Sequence, residues 1–219
     1  MRIVRSLRHP NIVRVFDSGK TAGGLRYLVM DYIEGGTLAK YLSKRGALPV
    51  GAARTLLGDI AAGLHHAHER GVVHRDIKPS NVLLDGDPLV DAPPRAVLTD
   101  FGIAKVVDGN SLSTANVIGT LDYIAPEQIH RPGVVDRRAD VYSLGVLAFK
   151  VVTGRRPFET RNPTALMLAH MRQPAPDVRE HVSQLPRRLA MALRRAMSKR
   201  PQDRHATVEE MMLDMFRPA

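Results

Sequence analysis

Residues 74–81 read His74-Arg75-Asp76-Ile77-Lys78-Pro79-Ser80-Asn81, and nineteen residues after that Asn comes Asp100-Phe101-Gly102. The first stretch gathers a carboxylate, an ammonium group and a carboxamide around a proline. The second is a short acidic turn after an apolar run. Residues 71–105 lack helical spacing and read as strand and loop, with short strands at 82–84 and 97–99 joined by a polar, proline-containing loop at 85–94. These two segments carry whatever chemistry the chain performs.

Outward from them the pattern is legible in both directions. Upstream, residues 12–16 and 25–32 are rich in β-formers, and 18–24, with three glycines, reads as the turn between them. A short helix is predicted at 38–44. From Pro49, Ala53, Leu56, Leu57, Ile60, Leu64 and Ala67 recur at helical spacing until Gly71 stops the run. Downstream the chain is helical. Residues 139–153 are apolar all round, as a buried helix is, and Gly154 ends them. Segments 163–171 and 186–197 open on Pro, which is favoured in a first turn. Thr207-Val208-Glu209-Glu210 has the pattern of a capping box before the last helix.

Composition removes several functional classes. The chain has 219 residues, 44% of them hydrophobic, so it is globular rather than disordered. It has no Cys, which rules out a disulfide scaffold or a thiolate-ligated metal. No apolar run approaches the length of a membrane span, and the first residues have no signal-peptide character. The net charge of +10 invites a nucleic-acid partner. Its basic pairs (Arg137-Arg138, Arg155-Arg156, Arg187-Arg188, Arg194-Arg195) are scattered, however, and no RNA-binding aromatic motif occurs, so a solvated Arg-rich surface is the better explanation. His65, His66 and His68 offer no i, i+4 metal pair and read as packing or surface residues.

The two polar segments resemble the catalytic loop and metal-binding loop of protein kinases, in the family's order, and nearly the whole chain from about Leu7 shares the likeness. It is similar to the bacterial, eukaryotic-like serine/threonine kinases. The resemblance implies an α+β, protein kinase-like fold, with a mostly helical C-lobe and a partial N-lobe sheet. It implies ATP and Mg²⁺ as cofactors, protein substrates as partners, no nucleic acid and a cytoplasmic setting. Asp76 would orient the substrate hydroxyl and accept its proton, Lys78 would steady the γ-phosphate, and Asn81 and Asp100 would ligate Mg²⁺. Lys78, two residues after Asp76, is the Ser/Thr-kinase pattern. Met30 would be the gatekeeper, the backbones of Asp31 and Ile33 would meet the adenine edge, and Leu83 would close the pocket below. Arg75 would read phosphate on the activation segment, with Ser111, Ser113, Thr114 and Thr120 as the segment's hydroxyls and Thr114 the best-placed acceptor. Gly119-Thr120 precedes Ala125-Pro126-Glu127, which is similar to the end of an activation segment. Glu127 would pair with Arg204, and Asp140 would anchor the catalytic loop.

The likeness stops at the front. A Gly-rich loop, a strand Lys and a helix Glu are expected of the family, and none is present in this chain. Counted back from His9, the Glu falls about one residue before Met1. The expectation is an incomplete catalytic domain over 1–219, with 1–33 a remnant of the N-lobe and hinge and 34–219 the C-lobe. Alone, such a chain is expected to be inactive, with a marginal hairpin, a freed sheet edge, and Val4 and Val15 short of apolar neighbours. The competing reading is a pseudokinase or interaction module.

Overall fold

The computed structural model describes residues 5–86, 94–101, 121–130 and 133–217. Two strands come first, β1 (Val15–Lys20) and β2 (Arg26–Met30), paired antiparallel with Val15 opposite Met30 and Lys20 opposite Arg26. The hairpin corrects the expected strand and turn bounds. The turn is tighter than 18–24, because Ser18 and Gly19 pair with Leu28 and Tyr27. Of the early glycines only Gly24 takes a left-handed φ, +82°. Gly19 lies in the strand, where a Cβ would meet the Tyr27 hydroxyl at 2.6 Å and its ring at 2.7 Å. Ile12 is not in β1 either; it bridges Leu98 from the other sheet. Val15, expected to lack cover, is 6% exposed, while Val4 lies outside the described residues.

Helix α1 (Leu38–Arg45) starts at Thr37, whose side chain accepts from the Lys40 amide, and ends at Gly46 with φ +71°. Helix α2 (Val50–His68) follows, its buried stripe running from Ala53 through Leu57 and Leu64 to Ala67. The chain then crosses a loop into β3 (Val82–Asp85), which pairs antiparallel with β4 (Arg95–Leu98). Further α-helices among the described residues are α3 (Pro126–His130), α4 (Arg138–Thr153), α5 (Pro163–Arg172), α6 (Arg187–Ala196) and α7 (Val208–Phe216).

The core lies where α2, α4, α6 and α7 pack together. Thirteen of the sixteen residues of α4 are buried, which is why its sequence has no polar face. Each fully buried Leu or Phe contributes roughly 1.5–3 kcal/mol, so this seam holds most of the stability. The β1–β2 pair does not share it: Phe16, Tyr27, Val29 and Met30 are each more than 40% exposed. The last cap differs from the predicted box in one arm. Thr207 accepts from the Glu210 amide, but Glu210 takes the amide of Ala206. Among the described residues no helix is long and apolar enough to cross a membrane.

Candidate active site

Three elements hold the loop at 74–81. Asp140, in the first turn of α4 and fully buried, accepts from the amides of His74 and Arg75, both at 2.8 Å. The same carboxylate receives His68 Nε2 from the end of α2 at 2.7 Å. A carboxylate only accepts, so Nε2 of His68 carries its proton. Three donors compensate the burial of this charge, which would otherwise be costly.

Arg75 itself is strained. Its φ is +66°, a region that non-glycine residues enter at a cost of order 1–3 kcal/mol. Besides Asp140, Gln128 of α3 holds it there. The Gln128 carboxamide donates to the Arg75 carbonyl at 2.8 Å and accepts from the Ala125 amide at 3.2 Å. One side chain therefore ties the chain around Glu127 to the residue before Asp76.

His74 is buried and stacks on Phe101 with ring centres 4.5 Å apart. Its Nδ1 accepts from the Asp76 amide at 3.3 Å, so its Nε2 donates to the Thr99 carbonyl at 3.0 Å. Burial, outweighing Asp140 and Asp76, lowers its pKa and keeps the ring neutral, as this pattern requires. The ring thus links the loop to the residue before Asp100.

Asp76, Lys78 and Asn81 come together. Lys78 Nζ lies 2.9 Å from Asp76 Oδ2. The Asn81 amide nitrogen donates to the Asp76 carbonyl at 2.9 Å and to the same Oδ2 at 3.0 Å. Two acceptors on one side fix the Asn81 rotamer, and its Oδ1 turns the other way, toward Ser80 Oγ at 3.4 Å. Asp76 Oδ1 carries no hydrogen bond among the described residues. The Thr99 amide donates to the Asn81 carbonyl at 3.0 Å, which sets Asp100 just beyond. Asp100 is exposed with φ +58°, a conformation Asp adopts more readily than most residues.

Met30 reaches the same place from β2, its sulfur 3.8 Å from Thr99 Oγ1. The Asp31 amide is already given to the Arg14 carbonyl at 3.0 Å, so Asp31 has only its carbonyl to offer a ligand. After Ile33 the chain lies against β3. Leu83 bridges Thr37, and a Cβ on Gly35 would fall 2.2 Å from the Leu84 carbonyl oxygen. This closeness keeps Leu83 beside the linker.

Beneath the site, Arg204 and Glu127 form a bidentate pair at 2.7 and 2.8 Å, the Arg204 side chain fully buried. Gly102, Ser111, Ser113, Thr114, Gly119 and Thr120 lie outside the described residues.

His68, read as a packing or surface residue, was not foreseen as a partner of Asp140, and Gln128 was not foreseen at all. Helical spacing could have flagged His68, four residues after Leu64 on the buried stripe of α2. Gln128, a lone amide on a short helix, has no local signature.

A family profile described as a protein kinase domain matches residues 1–216. The chain is 37% identical to the serine/threonine-protein kinase PknB of Mycolicibacterium smegmatis over 219 residues, 97% of this chain and 34% of that protein. It is 34% identical to the serine/threonine-protein kinase PrkC of Bacillus subtilis over 211 residues, 96% of this chain and 31% of that protein. The chain spans about a third of the length of the curated relatives it matches. With a helical core, two small antiparallel sheets and a profile match over nearly its whole length, the chain belongs to the protein kinase domain family.

Proposed function

We propose that this chain is the linker and C-lobe, with a partial N-lobe sheet, of a serine/threonine protein kinase that moves the γ-phosphoryl group of ATP to protein hydroxyls. Residues 1–33 are then the N-lobe and hinge portion and 34–219 the C-lobe. The observation that carries this reading is the division of labour at Asp76. One carboxylate oxygen is held by Lys78 and Asn81, and the other, with no hydrogen bond among the described residues, is the one assigned to an incoming hydroxyl.

The donor set suits the implied Mg²⁺. The Asn81 carboxamide oxygen, turned away from Asp76, and the Asp100 carboxylate are hard oxygen ligands. Mg²⁺ is commonly held by one or two protein groups together with phosphates and water. Among the described residues no group of three or more His, Cys, Asp or Glu forms a protein-only cage. When bound, Mg·ATP supplies the phosphorus to be attacked and the cation that offsets its oxygens. The Asp76 Oδ1 atom accepts the proton of the Ser or Thr hydroxyl and orients its oxygen in line. Lys78, 2.9 Å from Asp76 Oδ2, steadies that carboxylate and sets a positive charge beside the transferred group. The Asp31 carbonyl and Ile33 amide meet the adenine edge, with Met30 behind it and Leu83 below. Use of ATP fits a cytoplasmic setting. Arg75, half-buried and strained, receives a phosphate carried by Ser111, Ser113 or Thr114, or by Thr120 nearer Glu127.

The test uses residues 1–219 alone and joined to the Gly-rich loop, strand Lys and helix Glu of a similar kinase. Alone, the chain is expected to bind ATP poorly and to transfer no phosphate. In the joined protein, Asp76→Ala should abolish turnover while leaving the KM for ATP nearly unchanged. Asp100→Asn should raise that KM as well as lower turnover. Near-normal turnover in Asp76→Ala would refute the assignment, and phosphotransfer by residues 1–219 alone would refute the expectation that the chain is inactive without those parts.

A further inference from the structure

The C-terminal ends of α5 and α6 border a cavity of ≈ 490 Å³. Arg172, Arg194, Arg195 and Lys199 line it, with Met191 and Met197 among its apolar walls. Met191, Arg194 and Arg195 fall at i, i+3 and i+4 on the exposed side of α6, and Met191 is 61% exposed.

Basic residues at helix C-termini have an ordinary explanation, since they offset the negative end of the helix dipole. Magnitudes decide against that as the whole account. Two helix ends supply about half a negative charge each. Four cations line the cavity, and one carboxylate, Glu210, answers one of them, Arg195, at 2.8 Å. A surplus of about two positive charges is left after the dipoles are counted. Arg172 and Arg194 have no carboxylate partner among the described residues. The Lys199 ammonium lies just below, over the Phe158 ring at 4.5 Å and near the Ala169 carbonyl oxygen at 3.3 Å. Burial, with Arg204 adding to it, lowers its pKa to about 8.

We infer that this cavity is a docking site for an acidic peptide segment, with carboxylates at Arg172 and Arg194 and an apolar side chain seated against the exposed Met191. The occupant follows from the lining. Single-stranded nucleic acid is held on stacking aromatics, and no aromatic residue lines this cavity. Methionine adapts to varied apolar side chains, and a cavity of ≈ 490 Å³ is far larger than a lone inorganic anion fills. The inference does not depend on the chain's catalytic role.

The test uses residues 1–219 as they are, with a short fluorescein-labelled peptide in which Asp and Glu flank a pair of Leu. Anisotropy should rise saturably, and the methyl signal of Met191 should shift while methionines far from the cavity, such as Met30, stay put. Arg172→Glu with Arg194→Glu should weaken binding by about tenfold or more. Arg54→Glu with Arg161→Glu, the same charge change at exposed positions elsewhere, should weaken it far less. Met191→Asp should also weaken it, which separates a seated segment from general attraction. Equal loss in both double variants, no saturable binding, or tighter binding of a single-stranded oligonucleotide of equal charge would each overturn the proposal.

Discussion

Replacing Arg204 by Met should destabilise the chain by about 4 kcal/mol. The Arg204 side chain is fully buried and donates to both Glu127 oxygens and to the carbonyls of Ser198, Arg138 and Lys199, at 2.7–3.1 Å. Removing one partner of a buried pair costs roughly 3–5 kcal/mol, because the remaining charge keeps its desolvation penalty. Carbonyls that lose a donor add about 1 kcal/mol or more each where water cannot replace it. The apolar Met side chain returns part of this through packing on Tyr142, whose ring now lies 4.8 Å from the guanidinium carbon. A loss near 4 kcal/mol is a large share of the roughly 5–15 kcal/mol margin of a folded domain. With a urea m-value of about 2 kcal/mol/M, the unfolding midpoint should fall by about 2 M. Adding Glu127→Leu removes the stranded charge, so the double variant should recover at least half of the loss. Urea titrations followed by circular dichroism measure all three proteins. A drop below about 1 kcal/mol for Arg204→Met, or strictly additive losses in the double variant, would refute the reasoning.

Gln128→Ala removes the bond to the Arg75 carbonyl without touching a catalytic group, so amide exchange at Arg75 and Asp76 should rise while α4 stays protected; unchanged exchange in that loop would leave the strained Arg75 held by Asp140 alone. His170 is fully buried beside Lys199 and bonds the Tyr142 hydroxyl at 2.9 Å, and burial with that charge lowers its pKa to about 4. Between pH 6.5 and 4 the unfolded chain therefore binds the proton that the folded chain refuses, so stability falls as pH drops through this window, by no more than roughly 3 kcal/mol from this group. Urea midpoints against pH should show that slope, and His170→Gln should flatten it; an identical slope in the variant would place the acid sensitivity on other groups.

The helices were readable because their apolar spacing is repeated over several turns. Segments 139–153 and 163–171 match α4 and α5 to within a residue at each end. The segments at 74–81 and around Asp100 stood out for another reason, being runs of polar residues whose types, order and spacing match one family pattern. The β1–β2 register was not, since a glycine in 18–24 can serve either a turn or a strand. Gly19 takes the strand because its missing Cβ admits the Tyr27 ring. Contacts across the chain left no local mark. Gln128 reaches Arg75 across fifty-three positions, and His68 reaches Asp140 across seventy-two. The cavity between α5 and α6 was equally hidden, because its cations come from separate helices and the loops that follow them.

The most direct measurement of the central claim is phosphoamino-acid analysis after the joined protein is incubated with γ-labelled ATP, Mg²⁺ and a generic protein substrate. The account predicts label on Ser and Thr of the substrate, ADP formed in step with it, and neither in Asp76→Ala. Label mainly on Tyr, or no transfer by a joined protein that binds ATP normally, would contradict it.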